Sequence, residues 1–263
     1  MKILLVGDIV GSPGRRIFRD VVKRLRDANE IQLVVANGEN AAAGNGITLP
    51  LADELFKSGA DVVTLGDHVW GQKELESTIA GEKRLVRPLN YPAGAPGQGY
   101  TVIQTAYGPL AVVNLLGRVF MNPVDCPFRA MDALLKTLPC NLPVLVDMHA
   151  EATSEKIAMG YYLDGRVAAV FGTHTHVQTS DAVILPKGTA YMTDLGMTGP
   201  YISVIGREIA PVLKKFTTAI PAKFDVAKGP CVLEGAILEI NRESGKAVSI
   251  TPYRFREPAE GAV

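Results

Sequence analysis

The chain has 263 residues, of which 47% are hydrophobic, so it is long enough to bury a sizeable core. Its 27 lysines and arginines balance its 27 aspartates and glutamates, which leaves no net basic field to attract nucleic acid. The three cysteines, Cys126, Cys140 and Cys231, are scattered, which argues against a disulfide framework and favours a reducing compartment. The sequence shows neither a signal-peptide pattern nor a bilayer-spanning run. We therefore expect a cytoplasmic protein without membrane contact or stable nucleic-acid binding.

The first third of the chain predicts strands that alternate with helices. Residues 3–6 form a short unbroken apolar run, which is typical of a strand buried on both faces. Apolar residues then recur at helical spacing over 15–29. The elements that follow are a strand at 33–36, a loop at 41–46, a helix at 49–58 and a strand at 61–65. This alternation is typical of an α/β fold.

The rest of the chain is less regular but continues the same pattern. The predicted elements, in order, are a loop at 87–99, a hairpin of 100–105 with 110–115, a loop at 117–128, a helix at 129–138, a strand at 143–148, a helix at 154–163, strands at 166–171 and 189–193, a helix at 206–216, and an antiparallel pair of 231–240 with 247–253. We find no internal repeat, low-complexity tract or linker, so we expect one domain over 1–263.

Polar residues follow five of the predicted strands at the point where each strand ends. They are Asp8, Glu39 with Asn40, Asp67 with His68, His149, and His174 with His176, and they include all four histidines of the chain. In open sheets covered by helices, ligands bind beyond the carboxyl ends of the strands. We therefore expect these side chains to gather at one edge of the sheet.

Taken singly, each of these residues has an ordinary structural explanation. Asp8 or Asp67 can cap a helix, Asn40 can occupy a turn, and a lone histidine can be a hydrogen-bonded residue at the edge of the core. Histidines two residues apart, as in His174-Thr175-His176, have both rings on one side if the backbone stays extended. That spacing predicts chelation of a metal ion, because neutral imidazole is the commonest metal ligand.

The number of donor groups predicts more than one metal ion. Three imidazoles, several carboxylates and an amide exceed the four positions of a tetrahedral zinc site. They suit two ions that share a bridging carboxylate, with iron, manganese or zinc favoured over calcium. Such a pair can clamp a phosphoryl group and acidify a water between the two ions.

The motifs Gly7-Asp8, Gly38-Glu39-Asn40, Gly66-Asp67-His68, His149 and Gly172-Thr173-His174-Thr175-His176 resemble those of calcineurin-like metallophosphoesterases. The chain is similar, nearly end to end, to the YmdB-like branch of bacterial 2′,3′-cyclic-nucleotide phosphodiesterases. Two long strings, at 147–156 and 194–199, contribute to the likeness. The resemblance implies a four-layer αββα sandwich of two mixed sheets, the metallophosphoesterase fold. It also implies a dinuclear metal centre, with iron favoured and manganese as the alternative.

The resemblance also implies a role for each candidate residue. The first metal is held by Asp8, Glu39, Asn40 and His176, and the second by Glu39, Asp67, His149 and His174, with Glu39 bridging. His68 is the proton donor to the departing ribose oxygen. Asp147, Glu151 and Asp194 are candidates to orient the ligand imidazoles.

Two positions depart from the family pattern. Val10 stands where most of the wider superfamily has a histidine, and Asn40 is expected to replace that ligand. Asp67 stands where the family usually has asparagine, and its carboxylate adds negative charge around the second metal. We expect this charge to reduce Lewis acidity and to favour hard ions such as Mn²⁺.

The expected activity is opening of a 2′,3′-cyclic nucleotide to the 3′-nucleotide, with the cyclic nucleotide as the small-molecule partner. One alternative is a phosphomonoesterase or protein phosphatase on the same metal centre. Another is a regulatory sensor of cyclic nucleotides or RNA ends with vestigial catalysis, which Asp67 favours. Direct nucleic-acid binding has little support, and the sequence leaves assembly into a homo-oligomer open.

Overall fold

A computed structural model describes residues 1–241 and 243–259. The strands are β1 (Lys2–Val6), β2 (Asp8–Ile9), β3 (Leu33–Asn37), β4 (Val62–Thr64), β5 (Leu85–Val86), β6 (Tyr100–Thr105), β7 (Gly108–Leu116), β8 (Val144–His149), β9 (Ala169–Thr173), β10 (Val183–Ile184), β11 (Ala190–Met192), β12 (Met197–Pro200), β13 (Cys231–Ile240) and β14 (Ala247–Arg256). The helices are α1 (Gly11–Asp27), α2 (Leu49–Lys57), α3 (Glu74–Thr78), α4 (Pro127–Leu135), α5 (Thr153–Leu163) and α6 (Ile209–Thr218), with a 3₁₀ turn at Ile79–Gly81. No helix in these ranges is long and apolar enough to cross a membrane.

The strands form two mixed sheets. The eight-stranded sheet has the order β2-β12-β13-β1-β3-β4-β5, with β14 paired to β13. Within it β1, β3, β4 and β5 run parallel, whereas β13 runs antiparallel to β1. The six-stranded sheet has the order β10-β11-β9-β8-β7-β6, in which β7, β8, β9 and β11 run parallel.

Three apolar cores separate four layers of secondary structure. The middle core lies between the two sheets and includes Leu5 of β1 and Phe171 of β9. The second core lies between the eight-stranded sheet and its helices and includes Phe18 of α1. The third lies on the outer face of the six-stranded sheet and includes Met159 of α5. The predicted four-layer αββα sandwich of two mixed sheets is therefore confirmed.

The unbroken apolar run of β1 follows from its position between two of these cores. Because successive side chains of a strand point to opposite faces, Ile3 and Leu5 enter the middle core, whereas Leu4 and Val6 enter the core beneath α1. All four are at most 1% exposed. The strand can therefore carry no polar residue until it ends, and Asp8 follows almost at once.

Several element boundaries differ from the sequence predictions. Helix α1 begins at Gly11, four residues earlier than predicted, because Pro13 needs no hydrogen-bond acceptor in a first helical turn. Gly14 allows close packing of α1 against β12, since a Cβ there would collide with the Thr198 carbonyl. Helix α6 begins at Ile209 rather than at 206. The short elements β2, β12 and α3 were not predicted; β2 pairs with β12, which pairs with β13 on its other side.

Candidate metal centre

The predicted site residues lie where the two sheets meet. Asp8, Glu39 and Asp67 follow strands of the eight-stranded sheet, whereas His149 and His174 come from β8 and β9 of the six-stranded sheet. The expectation of a single sheet edge is therefore wrong: the carboxylates come mainly from one sheet and the imidazoles from the other. This happens because the strands of both sheets end at the same side of the sandwich.

Four of these residues form a compact group of donor atoms. Glu39, Asp67, His149 and His174 each offer one ligand atom, and all four atoms lie within 4.8 Å of one another. His149 Nε2 lies 3.1 Å from Asp67 Oδ1 and 3.2 Å from Glu39 Oε2. His174 Nδ1 lies 3.1 Å from His149 Nε2 and 3.3 Å from Asp67 Oδ1. The group has the size and the mixed N and O donors of a metal site.

The hydrogen bonds around His149 determine which of its two ring nitrogens carries the proton and which carries the lone pair. Thr173 Oγ1 donates its single proton to Asp147 Oδ1 at 2.7 Å. The same oxygen lies 2.8 Å from His149 Nδ1, so it must accept the Nδ1 proton. The lone pair of His149 therefore sits on Nε2, which faces the two carboxylates.

The other two histidines have the same arrangement of outer acceptor and inner lone pair. His174 Nε2 lies 3.1 Å from Glu151 Oε2, and His176 Nδ1 lies 3.0 Å from the Ile205 carbonyl oxygen. Both acceptors lack protons, so these nitrogens donate, and His174 Nδ1 and His176 Nε2 keep their lone pairs. Lone pairs that face one another and carboxylates repel unless a positive charge lies between them. The donor set therefore fits a metal cation.

A second group of donors lies beside the first, around Asp8. The Asp8 carboxylate is 0% exposed, and its Oδ1 has no hydrogen-bond partner among residues 1–241 and 243–259. This oxygen lies 3.8 Å from His176 Nε2, while Oδ2 accepts the backbone N–H of His174 at 3.1 Å. A buried carboxylate oxygen without a partner is costly in free energy. A cation at this position removes that cost.

Asn40 and His68 lie between the two groups. Asn40 Nδ2 lies 3.1 Å from Glu39 Oε1 and 3.2 Å from His176 Nε2, and Asn40 Oδ1 accepts from His68 Nδ1 at 2.9 Å. An amide binds hard metal ions through its oxygen, so ligation by Asn40 requires this amide to turn over. The Nδ1–H of His68 then keeps Glu39 Oε1, which lies 3.2 Å away, as its acceptor. The hydrogen bonding of His68 is thus coupled to the ligation of Asn40.

The electrostatics of the group favour added positive charge. Burial lowers the pKa of His149, but Glu39 and Asp67 beside it raise that pKa well above its ordinary value. Burial raises the pKa of Glu39 and of Asp67, yet the adjacent imidazoles bring both values below their ordinary range. The hydrogen bond to Glu39 raises the pKa of His68. Protons or metal cations can supply the charge, and metal binding releases the protons.

Gly66 leaves the space that these side chains occupy. A Cβ at this position would collide with Glu39 Oε2 and with the His149 ring. Only glycine therefore lets β4 deliver Asp67 beside both residues without displacing them.

The histidine pair does not have the extended geometry considered for it. Strand β9 ends at Thr173, and His174 and His176 have φ angles of 98° and 62°. The two rings therefore point to different places: His174 lies beside Asp67, whereas His176 lies beside Asn40.

The model of one family, described as YmdB-like protein, matches residues 4–253 of the chain. The chain belongs to the YmdB-like family.

Individual members of the family are similar over nearly their whole length. The chain is 47% identical over 251 residues, 95% of each sequence, to a Bacillus subtilis protein named 2′,3′-cyclic-nucleotide 2′-phosphodiesterase. The crystal structure of a hypothetical protein from Thermus thermophilus superposes with a TM-score of 0.92 at 45% identity, covering 98% of this chain and 100% of that one. A crystal structure described as a novel phosphatase from Mycoplasma pneumoniae superposes with a TM-score of 0.93 at 34% identity, covering 99% of this chain and 95% of that one. The family predicted from the sequence is confirmed.

Some residues of the YmdB-like site were not found by sequence reasoning. Thr173 and Thr175 alternate with the histidines in the motif, and this alternation was the available signal for their role. Lys156 lies within the string at 147–156 but carried no sign that it is buried. The Ile205 carbonyl belongs to the backbone and leaves no mark in the sequence.

Proposed function

We propose that the protein is a dinuclear metal phosphodiesterase that opens 2′,3′-cyclic nucleotides to 3′-nucleotides. The observation that carries the proposal is the inward lone pair on each of three histidines, His149, His174 and His176, beside three buried or half-buried carboxylates. The name of the Bacillus subtilis relative supports the choice of substrate.

We assign the ligands to two ions as follows. Asp8, Glu39, Asn40 and His176 hold the first, and Glu39, Asp67, His149 and His174 hold the second. Glu39 is suited to bridging because its Oε1 faces Asn40 and its Oε2 faces His149. The orphaned Asp8 Oδ1 supports the first site, and the compact group of four donors supports the second.

When bound, a metal pair makes water nucleophilic at neutral pH and neutralises charge on the phosphoryl oxygens. The protein contributes positioning and a proton. His68 is 39% exposed at its side chain and stands one residue after Asp67, so a substrate oxygen can approach it. Its protonated form donates to the departing ribose oxygen as the ester opens. A strained cyclic ester with a compact phosphate suits such a site.

The donor chemistry also bears on metal identity, where iron is our proposal and manganese the alternative. Imidazole nitrogens suit iron, and the three carboxylates suit harder ions such as Mn²⁺.

Cys126 and Cys140, which are exposed or partly exposed, are free thiols, and this supports the proposed cytoplasmic location.

A substrate panel on protein loaded with a known metal tests the function. We expect 2′,3′-cyclic AMP to be cleaved to 3′-AMP, with much slower cleavage of 3′,5′-cyclic AMP and of 3′-AMP itself. Faster release of phosphate from 3′-AMP would favour a phosphomonoesterase, a candidate that the name of the Mycoplasma structure supports. Tight binding of the cyclic nucleotide without turnover would favour the sensor.

A further inference from the structure

A buried ion pair lies directly behind the two histidines of the β9 turn. Lys156 of α5 and Asp194, which follows β11, have side chains that are 1% and 0% exposed. Lys156 Nζ lies 2.6 Å from Asp194 Oδ2. Neither residue belongs to the donor set described above. Burying two charges is costly unless the pair has good geometry and further hydrogen bonds, so the partners of these two residues are informative.

Asp194 is bonded to the residue between the two histidines. Its Oδ2 accepts the hydroxyl of Thr175 at 2.7 Å and the backbone N–H of Thr175 at 3.2 Å. Lys156 Nζ also lies 3.5 Å from Thr175 Oγ1. His174 and His176 on either side have positive φ angles, which residues other than glycine adopt only when the surroundings hold them there. The contacts of Asp194 and Lys156 with Thr175 keep the backbone of this turn in place.

The other oxygen of the same carboxylate reaches the strand that carries Asp8. Asp194 Oδ1 accepts the backbone N–H of Gly196 at 2.8 Å, and the Gly196 carbonyl accepts the backbone N–H of Asp8 at 3.2 Å. Asp8 Oδ2 in turn accepts the backbone N–H of His174 at 3.1 Å. One buried carboxylate thus links backbone from both sheets of the sandwich.

Asp194 itself is fully engaged by these bonds. Its two oxygens receive four hydrogen bonds, from Lys156, from Gly196 and twice from Thr175. Oδ2 receives three of these bonds and Oδ1 the fourth, so bonds within the protein hold both oxygens in place. The lysine keeps the charge of Asp194 neutralised without drawing it into the metal centre.

We propose that Lys156 and Asp194 are positioning residues that fix the turn of His174 and His176 relative to Asp8 and thereby set the metal affinity of the centre. The inference rests on the proposed function only in taking this centre to bind metal ions. It concerns the shape of the ligand set itself, so metal binding reports on it without any substrate.

The first test compares two substitutions of Thr175, which lies between the ligands but is not one of them. Thr175→Val keeps the shape and removes the hydroxyl bonded to Asp194, whereas Thr175→Ser keeps the hydroxyl. By titration calorimetry with Mn²⁺, we expect binding weaker by about 10-fold or more for the valine variant, the usual range for outer partners of metal ligands. The serine variant should stay near wild type. Equal affinity of the two variants would overturn the proposal.

The second test separates positioning from general stability. It compares Asp194→Asn with the control variant Asp164→Asn. Asp164 is a suitable control because it is also buried and its carboxylate also accepts backbone N–H groups, from Lys187 at 3.0 Å and from Thr189 at 3.4 Å. We expect both variants to lower the midpoint of thermal unfolding. Only Asp194→Asn should weaken Mn²⁺ binding and change the Mn²⁺ electron paramagnetic resonance spectrum. If both variants bind Mn²⁺ like wild type, the positioning role is refuted.

The two proposals fail in different ways. A wild-type protein that binds Mn²⁺ but cleaves no cyclic nucleotide would refute the proposed function, and the Thr175 pair would still decide the positioning role. A wild-type protein that binds no Mn²⁺, iron or zinc would refute both.

Discussion

His149 Nδ1 lies 2.8 Å from the Oγ1 of Thr173 on the neighbouring strand. The two residues are Cα partners in the parallel pairing of β8 with β9, so the register of the sheet places the hydroxyl beside the ring. Asp147, two residues before His149, receives the hydroxyl proton of Thr173. The sheet itself therefore selects the tautomer of a histidine that we propose as a metal ligand.

Removing that hydroxyl should weaken metal binding while leaving the strands paired. We expect Thr173→Val to lose metal affinity by about 10- to 100-fold, because the Nδ1 proton of His149 loses its acceptor. Thr173→Ser is the control and should bind like wild type. Metal titration of both proteins checks this, and similar affinities would show that the tautomer is set by something else.

His68→Ala should separate turnover from metal content. We propose that His68 gives a proton rather than holds a metal, so we expect unchanged metal content and a kcat lower by about 10²- to 10⁴-fold. Elemental analysis and single-turnover kinetics on the same preparation provide the measurement. Loss of metal from this variant would mean that the assignment as proton donor is wrong.

Glu39→Ala should remove both ions at once. The carboxylate faces Asn40 on one side and His149 on the other, so both donor groups lose a member. In wild type we expect Mn²⁺ at 100 times its Kd to stabilise the fold by about 2.7 kcal/mol for each bound ion, and chelation to reverse this. The variant should show no such shift in calorimetry. Full metal occupancy in Glu39→Ala would contradict the bridge.

Asp67→Asn tests the effect of the extra carboxylate. It removes one negative charge that lies 3.1 Å from His149 Nε2 and 3.3 Å from His174 Nδ1. We expect weaker Mn²⁺ binding but a higher kcat at saturating metal, because the remaining ligands leave the ion a stronger Lewis acid. A competition titration of Mn²⁺ against Zn²⁺ should shift toward Zn²⁺. A lower kcat at full occupancy would argue that Asp67 assists the reaction.

Phe120 should contribute to base recognition. Its side chain is 89% exposed at a φ of 61°, on a loop where the Gly117 N–H donates to the His149 carbonyl at 2.9 Å. Stacking of a base on an aromatic ring contributes about 1–3 kcal/mol, so Phe120→Ala should raise KM for 2′,3′-cyclic AMP. Phe120→Trp is the control that keeps a stacking surface. The KM for base-free ribose 2′,3′-cyclic phosphate should not change, and an equal rise for both substrates would exclude stacking.

The sequence predicted those strands and helices whose burial produces a local pattern of apolar residues. Strands such as β1 and β3 are buried on both faces, and this burial produced the unbroken apolar runs from which they were predicted. Strands β2 and β12 are two and four residues long and are defined by their pairing with each other and, for β12, with β13, which no local pattern encodes. The close packing of Gly14 in α1 against β12 likewise leaves no local pattern in the sequence.

In the site, too, the sequence predicted the candidate ligands but not the groups that hydrogen-bond to them. The residues brought together are those named from the ends of the strands, because chemically distinctive groups at those positions stand out in an apolar chain. The supporting hydroxyl of Thr173 and the carbonyl of Ile205 belong to common groups that acquire a role only through contact. The path of the β9 turn could not be predicted, since neither histidine is a residue type that favours positive φ as glycine does.

Because the carboxylates and imidazoles come from opposite sheets, bound cations would cross-link the two halves of the sandwich at one end. Any sliding of one sheet over the other would change distances at the centre before it opened the apolar layer between them.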